Sequence, residues 1–278
     1  MNYYTTPTEI CIETADDFDL ARIFECGQCF RWNADENGVY TGVAHGKFAT
    51  LRRDGGCVYI SGTAEDFETV WRGYFDLDRD YAAIRRALCI DDYMTRACKF
   101  GAGIRILRQD KWEALCSFII SQCNNIPRIK KIVQTLCSAF GDEIFFGGDT
   151  YHTFPSAARI ATLEPADLAP LRCGYRAPYI IAAARAVASG ELDLAALAKG
   201  APDEALLRLK ALPGVGDKVA NCAVLFGLHM LDAFPLDVWM KRAVNEHYGK
   251  GFDPRVFSPH AGIAQQYMFY YARENGDK

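Results

Sequence analysis

The residues best placed to do chemistry lie between positions 203 and 248. Lys218 stands two residues after Leu212-Pro213-Gly214-Val215-Gly216, at the start of a predicted helix. An amine at the positive end of a helix and partly out of water has its neutral form favoured, and the neutral amine is the nucleophile. Asp237 follows in Pro235-Leu236-Asp237, at the head of a third predicted helix, Val238 to Tyr248, which Gly249 ends. A carboxylate there is a natural helix cap. The glycines around Val215 make a tight turn that lets backbones approach closely. The amides of Gly214, Val215 and Gly216, at a helix N-terminus, suit a phosphate. Taken alone, the stretch is equally a plain helical hairpin.

These residues need a scaffold, and the sequence predicts one. Asp203 to Leu212 carries apolar residues at helical spacing, and a second helix runs from Asp217 to about Leu228, so a helix-hairpin-helix is expected at about 203–229. Residues 38–62 instead alternate apolar and polar, cut by His45-Gly46 and Asp54-Gly55-Gly56, the pattern of an antiparallel meander. From Ala64 the spacing turns helical, as in Phe67, Val70, Trp71 and Tyr74, and strand-like alternation does not clearly return. The expected class is α+β: an N-terminal antiparallel β-rich domain over 1–95, then a mostly helical region over 96–278.

Composition narrows the function classes. With 278 residues, 50% hydrophobic and 24% charged, the chain reads as a soluble globular protein whose core needs no disulfides. Its 11 cysteines are odd in number and scattered, which points to a reducing compartment. Cys26-Gly27-Gln28-Cys29 lacks the second pair that tetrahedral zinc needs, and no cysteine follows Cys222 to build a C-terminal iron–sulfur cluster, so no metal is expected. Neither a signal peptide nor an apolar run of about 18 residues occurs, so a cytoplasmic protein without a membrane partner is expected. The net charge of −4 argues at first against nucleic acid. It is unevenly divided, however: residues 1–95 hold 17 acidic and 9 basic side chains, residues 96–278 hold 18 and 22, giving −8 and +4. Within 96–135, Arg96, Lys99, Arg105, Arg108, Lys111, Arg128, Lys130 and Lys131 meet only Asp110 and Glu113, a stripe able to neutralise phosphates.

The hairpin, Lys218 directly after it and the Pro-x-Asp setting of Asp237 together resemble the helix-hairpin-helix DNA glycosylase superfamily. The resemblance implies that Lys218 attacks C1′ of a flipped-out nucleotide, expels the base and forms a Schiff base, while Asp237 stabilises positive charge on the sugar. Four further segments are similar to its 8-oxoguanine branch, in a prokaryotic form without long basic tails. Gly27-Gln28-Cys29-Phe30-Arg31-Trp32 implies that the Gly27 carbonyl accepts from N7–H of 8-oxoguanine, a proton that guanine lacks. Ser117 to Ile129 resembles an Asn-rich loop, with Asn124 and Arg128 at the duplex and Arg128 reading the orphan cytosine. Leu171-Arg172-Cys173-Gly174-Tyr175-Arg176 implies that Tyr175 wedges into the stack and Arg176 contacts the same cytosine. Ala261 to Phe269 implies a pocket in which Gln265 reads the Watson–Crick edge, and the base stacks between Phe269 and Cys222.

Two positions depart from the branch: Cys123 stands where asparagine is common, and Trp239 where the eukaryotic form has histidine. The implied activity is a bifunctional 8-oxoguanine DNA glycosylase/AP lyase. It would act as a monomer on double-stranded DNA carrying the lesion opposite cytosine, without a cofactor, a monovalent cation at the carbonyls of the 213–216 turn being compatible with the family. Two alternatives stay open. A monofunctional alkyl-purine glycosylase would use the aspartate without the lysine, and Lys218 argues against it. A non-catalytic DNA-binding module would grip phosphate only, and Gly27 and Gln265 argue against that.

Overall fold

The computed structural model describes residues 2–13 and 17–275. Alternation along the N-terminal strands places one row of apolar side chains on a single face. Tyr40, Leu51, Ile60 and Ile10 lie opposite one another on successive strands, and all four are buried. The strands are β1 (Asn2–Thr5), β2 (Glu9–Glu13), β3 (Asn33–Ala34), β4 (Tyr40–Ala44), β5 (Lys47–Asp54) and β6 (Cys57–Ser61). They form one antiparallel sheet in the order β1-β2-β6-β5-β4-β3. The predicted meander is its β4-β5-β6 part. Short strands on either side, too brief for a clear alternation, widen it to six.

An aromatic layer packs against this sheet: Phe24 stacks on Trp32 at 4.6 Å, and Trp32 donates its indole N–H to the Tyr74 hydroxyl at 2.8 Å. Strand structure does return later, contrary to expectation. A hairpin of β7 (Glu143–Phe146) and β8 (Asp149–His152) turns at Gly147-Gly148, both with positive φ. Its Phe146 and Tyr151 pack with tilted rings against Phe48 of β5, centroids 4.4 and 4.2 Å apart. A two-residue glycine turn between β-formers is the signal for this element.

The helical region surrounds the helix Lys111–Ile120, whose residues from Trp112 onward are all buried. Helices Ile126–Phe140, Ala177–Ala188, Asp217–Cys222 and Ala261–Asn275 contribute to the same apolar cluster, which also takes in Cys26 and Phe30 from the N-terminal part. The sheet has its own cluster, from Ile10 to Leu77 with Leu107 added.

A charged seam joins the two clusters. Asp76, buried, receives Arg79 at 2.5 Å, Arg108 at 2.9 Å and the Tyr81 hydroxyl at 3.1 Å, with His229 at 3.5 Å. Arg105, 1% exposed, donates to the carbonyls of Phe75, Asp17, Asp76 and Arg79. Burial alone would raise the Asp76 carboxyl; His229 and Arg79 outweigh that and hold it well below the usual carboxylate range.

This seam corrects the reading of residues 96–135 as one phosphate-binding stripe. Arg105 and Arg108 are engaged at the seam, and Lys130 is held by Glu25 at 3.1 Å and the Trp32 carbonyl at 2.8 Å. Arg96, Lys99, Arg108, Arg128 and Lys131 are exposed, Arg108 while paired with Asp76. Among the described residues, no helix is long and apolar enough to cross a membrane.

Asp76→Asn keeps a residue tolerant of the left-handed φ of 49° found there but removes the charge that the surrounding cations face. It should lower unfolding stability at pH 7 by about 3 kcal/mol. A depressed carboxylate stabilises the fold above its unfolded pKa of about 3.9. The difference between the two proteins in denaturant melts should therefore be full at pH 7 and shrink as the pH falls below about 4. A difference that does not change with pH would assign the loss to shape and not to charge.

Candidate active site

The hairpin forms as predicted, from helix Pro202–Lys210 and helix Asp217–Cys222, the latter continued by a π-helical turn over Ala223–Gly227. Gly214 has φ +74°, and a Cβ there would lie 2.2 Å from a ring carbon of Tyr179, so no other residue fits. The second helix starts from Gly216, which brings no side-chain cap, so its first amides have no side-chain acceptor.

That turn delivers Lys218 to the end of the buried helix Lys111–Ile120. Its Nζ donates to Ser121 Oγ at 3.1 Å and lies 5.4 Å from the Phe118 ring centroid. Cys222 is one helical turn further on. Burial pushes its thiol up to about 11, so it presents a neutral, polarisable surface at neutral pH. Asp237 does cap the third helix, Val238–His247, accepting from the Met240 amide at 2.8 Å. It also lines a cavity shared with Lys218 and Cys222.

The same cavity, about 50 Å³, is lined by Gly27, Gln265 and Phe269, so the predicted catalytic and pocket residues meet in one place. Phe118, Phe226 and Pro235 supply apolar wall, and Cys26 and Gln266 complete it. Gln265 and Phe269 come from one face of the helix Ala261–Asn275. Gln265 is buried, yet its Oε1 has no hydrogen-bond partner. A buried amide oxygen left unpaired is costly. Gly27 has φ +81°, and a Cβ on it would stand 3.5 Å from both the Phe269 ring and Ile126.

The other predicted residues gather outside the cavity, where two loops are stitched together. Asn125 caps the helix Ile126–Phe140, and Arg128, exposed, reaches the Arg172 carbonyl at 3.4 Å. Asn124 donates to the Ile120 carbonyl at 2.9 Å, while its Oδ1 is buried without a partner. Tyr175 is 52% exposed. Arg176, expected at the orphan base, is buried instead: Nε donates to the Gln122 carbonyl at 2.9 Å and Nη1 to the Cys173 carbonyl at 3.0 Å. Its guanidinium braces the two loops and lies 4.4 Å from the Tyr175 ring.

Cys123 sits at φ +48°, a conformation that asparagine adopts readily. Its hydrogen bond to Tyr175 raises that phenol. Trp239 is exposed beside Arg242, 5.8 Å from ring centroid to guanidinium. Sequence reasoning passed over Ser121 and Phe118. Their signal was a spacing of three residues at the end of an apolar helix, one turn from the Asn-rich loop. The turn at 213–216 offers backbone carbonyls, the oxygen donors a hard cation takes. Among the described residues, no group of three or more His, Cys, Asp or Glu side chains could hold a metal ion.

Residues 116–255, half of the chain, match the family model of HhH-GPD superfamily base excision DNA repair proteins, and the chain belongs to that superfamily. Residues 10–115 match a second family model, the N-terminal domain of 8-oxoguanine DNA glycosylase. A curated relative, the N-glycosylase/DNA lyase of Saccharomyces cerevisiae, is 34% identical over 82% of this chain and 68% of its own length. Two solved structures superpose at a TM-score of 0.94. MBOgg1 in complex with a low affinity DNA ligand is 42% identical, covering 99% of both chains. The Clostridium acetobutylicum 8-oxoguanine glycosylase/lyase, bound to double-stranded DNA with cytosine opposite 8-oxoG, is 36% identical, covering 100% of this chain and 99% of its own.

The two turn glycines make opposite predictions. Gly214→Ala meets both the Tyr179 ring and a left-handed φ, and should cost at least about 2 kcal/mol of stability. Gly216→Ala, whose Cβ would meet nothing within 4 Å, loses only the N-cap preference of glycine over alanine and should cost no more than about 1 kcal/mol. Equal losses in thermal unfolding would contradict the close approach at Gly214.

Proposed function

We propose that the protein is a bifunctional DNA glycosylase/AP lyase that excises 8-oxoguanine from duplex DNA. The observation that carries this reading is the single cavity in which an amine, a carboxylate, a glycine backbone and an unpaired amide oxygen converge. The names of the yeast relative and of the clostridial structure support the substrate and the double activity.

In this reading the amides of Gly214 and Gly216 hold the DNA backbone, the Val215 amide donating to the Leu212 carbonyl at 3.2 Å. Tyr175 fills the space that the flipped nucleotide leaves, and Arg128 and Asn124 contact the duplex beside it, Arg128 at the orphan cytosine. Arg176 serves from behind, as the brace that sets Tyr175 and the Asn-rich loop. The base stacks between Phe269 and the neutral Cys222 thiol. Gln265 Oε1, otherwise unpaired, accepts from the donors of the guanine Watson–Crick edge, and the Gly27 carbonyl accepts from N7–H.

The Lys218 amine then attacks C1′ through its nitrogen lone pair as the C1′–N9 bond breaks, the base leaving with the bond's electron pair and taking up a proton. Asp237 stabilises the positive charge that the sugar carries in between. Opening of the sugar ring turns the adduct into an imine. Loss of a C2′ proton then expels the 3′ phosphate and cuts the strand. A monovalent cation at the carbonyls of the turn would steady that loop on the backbone, and no chemical step passes through it. The alkyl-purine alternative leaves Lys218 without a task, although the amine lies in the cavity.

Borohydride reduction during incubation with a duplex holding 8-oxoguanine opposite cytosine should trap a covalent adduct, and Lys218→Gln should form none. An undiminished adduct in that variant would remove Lys218 from the chemistry. Asp237→Asn separates two roles, because asparagine caps a helix as well as aspartate does. It should melt as the parent does while excising about 10²- to 10³-fold more slowly. Excision at the parent rate would leave Asp237 as a cap alone.

A further inference from the structure

Discrimination by Gly27 depends on one peptide plane, and glycine has no side chain with which to hold it. The neighbouring residues supply what is missing. Gln266, 1% exposed, donates its side-chain amide to the Cys26 carbonyl at 2.8 Å, and Gln109, also buried, donates to the Gln28 carbonyl at 2.7 Å. Between these two held carbonyls, the Gly27 carbonyl receives no hydrogen bond among the described residues. The far end of the same peptide is fixed through the wholly buried Gln28 side chain. That side chain donates to the carbonyls of Ile23 at 3.0 Å and Arg105 at 2.8 Å, and accepts from the Leu107 amide at 2.9 Å.

From this arrangement we infer that Gln266 and Gln109 are positioning residues for lesion specificity. They clamp the peptides on either side of the Gly27–Gln28 peptide, so that of these three successive carbonyls only that of Gly27 is left over among the described residues and keeps a fixed direction at the cavity wall. The inference rests on the proposed reading of Gly27. A flexible Gly27 peptide could rotate away from a base that lacks the N7 proton and so tolerate it. A clamped one keeps its oxygen against the lone pair of guanine, and an acceptor facing an acceptor is repelled. Gln266 reaches 240 residues back along the chain to make its bond, so the helix that presents Gln265 to the base also sets the backbone opposite. Both arms of the pocket therefore move together. Misplacement of a reacting or recognising group by about 1 Å can cost on the order of 10²-fold.

The test uses Lys218→Gln as the parent, so that binding is measured without cleavage, and adds Gln266→Met or Gln109→Met, which keep length and volume but remove the donor. Equilibrium dissociation constants are compared for duplexes that differ only in 8-oxoguanine or guanine opposite cytosine. Each methionine variant should lower the preference for the lesion by about tenfold, about 1.4 kcal/mol, while general duplex affinity, read on the guanine duplex, stays the same or tightens. A preference unchanged in both variants, with melting curves matching the parent, would overturn the clamp. So would equal weakening on both duplexes, which would make the glutamines structural only. If one variant does not fold, the other decides. If the parent itself shows no preference for the lesion, the base-reading assignment of Gly27 falls, and the clamp with it.

Discussion

The position of the sheet on the helical region depends on a buried charge that cannot be left unpaired. Asp76 is surrounded by Arg79, Arg108, Tyr81 and His229, and the adjoining Arg105 is saturated by four backbone carbonyls. Any sliding of one layer over the other would strand one of these ions in a poorly solvated place, at a cost far larger than the loss of a few apolar contacts. Hydrophobic clusters tolerate shifts of packing; a buried ionic seam does not. The seam therefore sets register. Register is what the cavity needs, because Gly27 reaches it from beside the sheet while Lys218, Asp237 and Gln265 reach it from helices.

Within the cavity the chemistry is concentrated at helix ends. Lys218 starts one helix, Asp237 caps another, and Ser121 closes the buried helix behind them. Helix ends carry unpaired backbone groups and lie where the chain changes direction, so several can converge on one point without unsatisfied backbone between them. Asp237 shows the economy of this plan. One carboxylate oxygen holds the Met240 amide, and the same residue faces the amine's cavity.

Much of this was legible in the sequence, for identifiable reasons. The hairpin and the helix after Asp237 announce themselves through Pro, Gly and helical spacing, and the meander through alternation and glycine turns. The cavity residues Gly27, Cys222, Gln265 and Phe269 are unremarkable singly and became legible only through their resemblance to a family pattern. What stayed hidden depends on tertiary burial of charge. Arg105, Arg108 and Lys130 look like free cations in the sequence because their partners are backbone carbonyls and carboxylates remote in the chain. The inward turn of Arg176 was hidden in the same way, since nothing local marks a guanidinium that bonds the Gln122 carbonyl. The hairpin at 143–152 was overlooked because each strand has four residues, too few for a period to register.

The cavity of about 50 Å³ is far below the ~300 Å³ at which ligand pockets usually begin. A purine arriving alone must push Phe269 and its neighbours apart with nothing but its own stacking energy. In the proposed function, a nucleotide still attached to a duplex would arrive with the backbone contacts of the hairpin already made, and those contacts would offset the opening. The tightness would then work as an entry rule set by tethering: free purine bases and nucleotides, however abundant, would compete poorly for a site that opens to a base delivered on its strand.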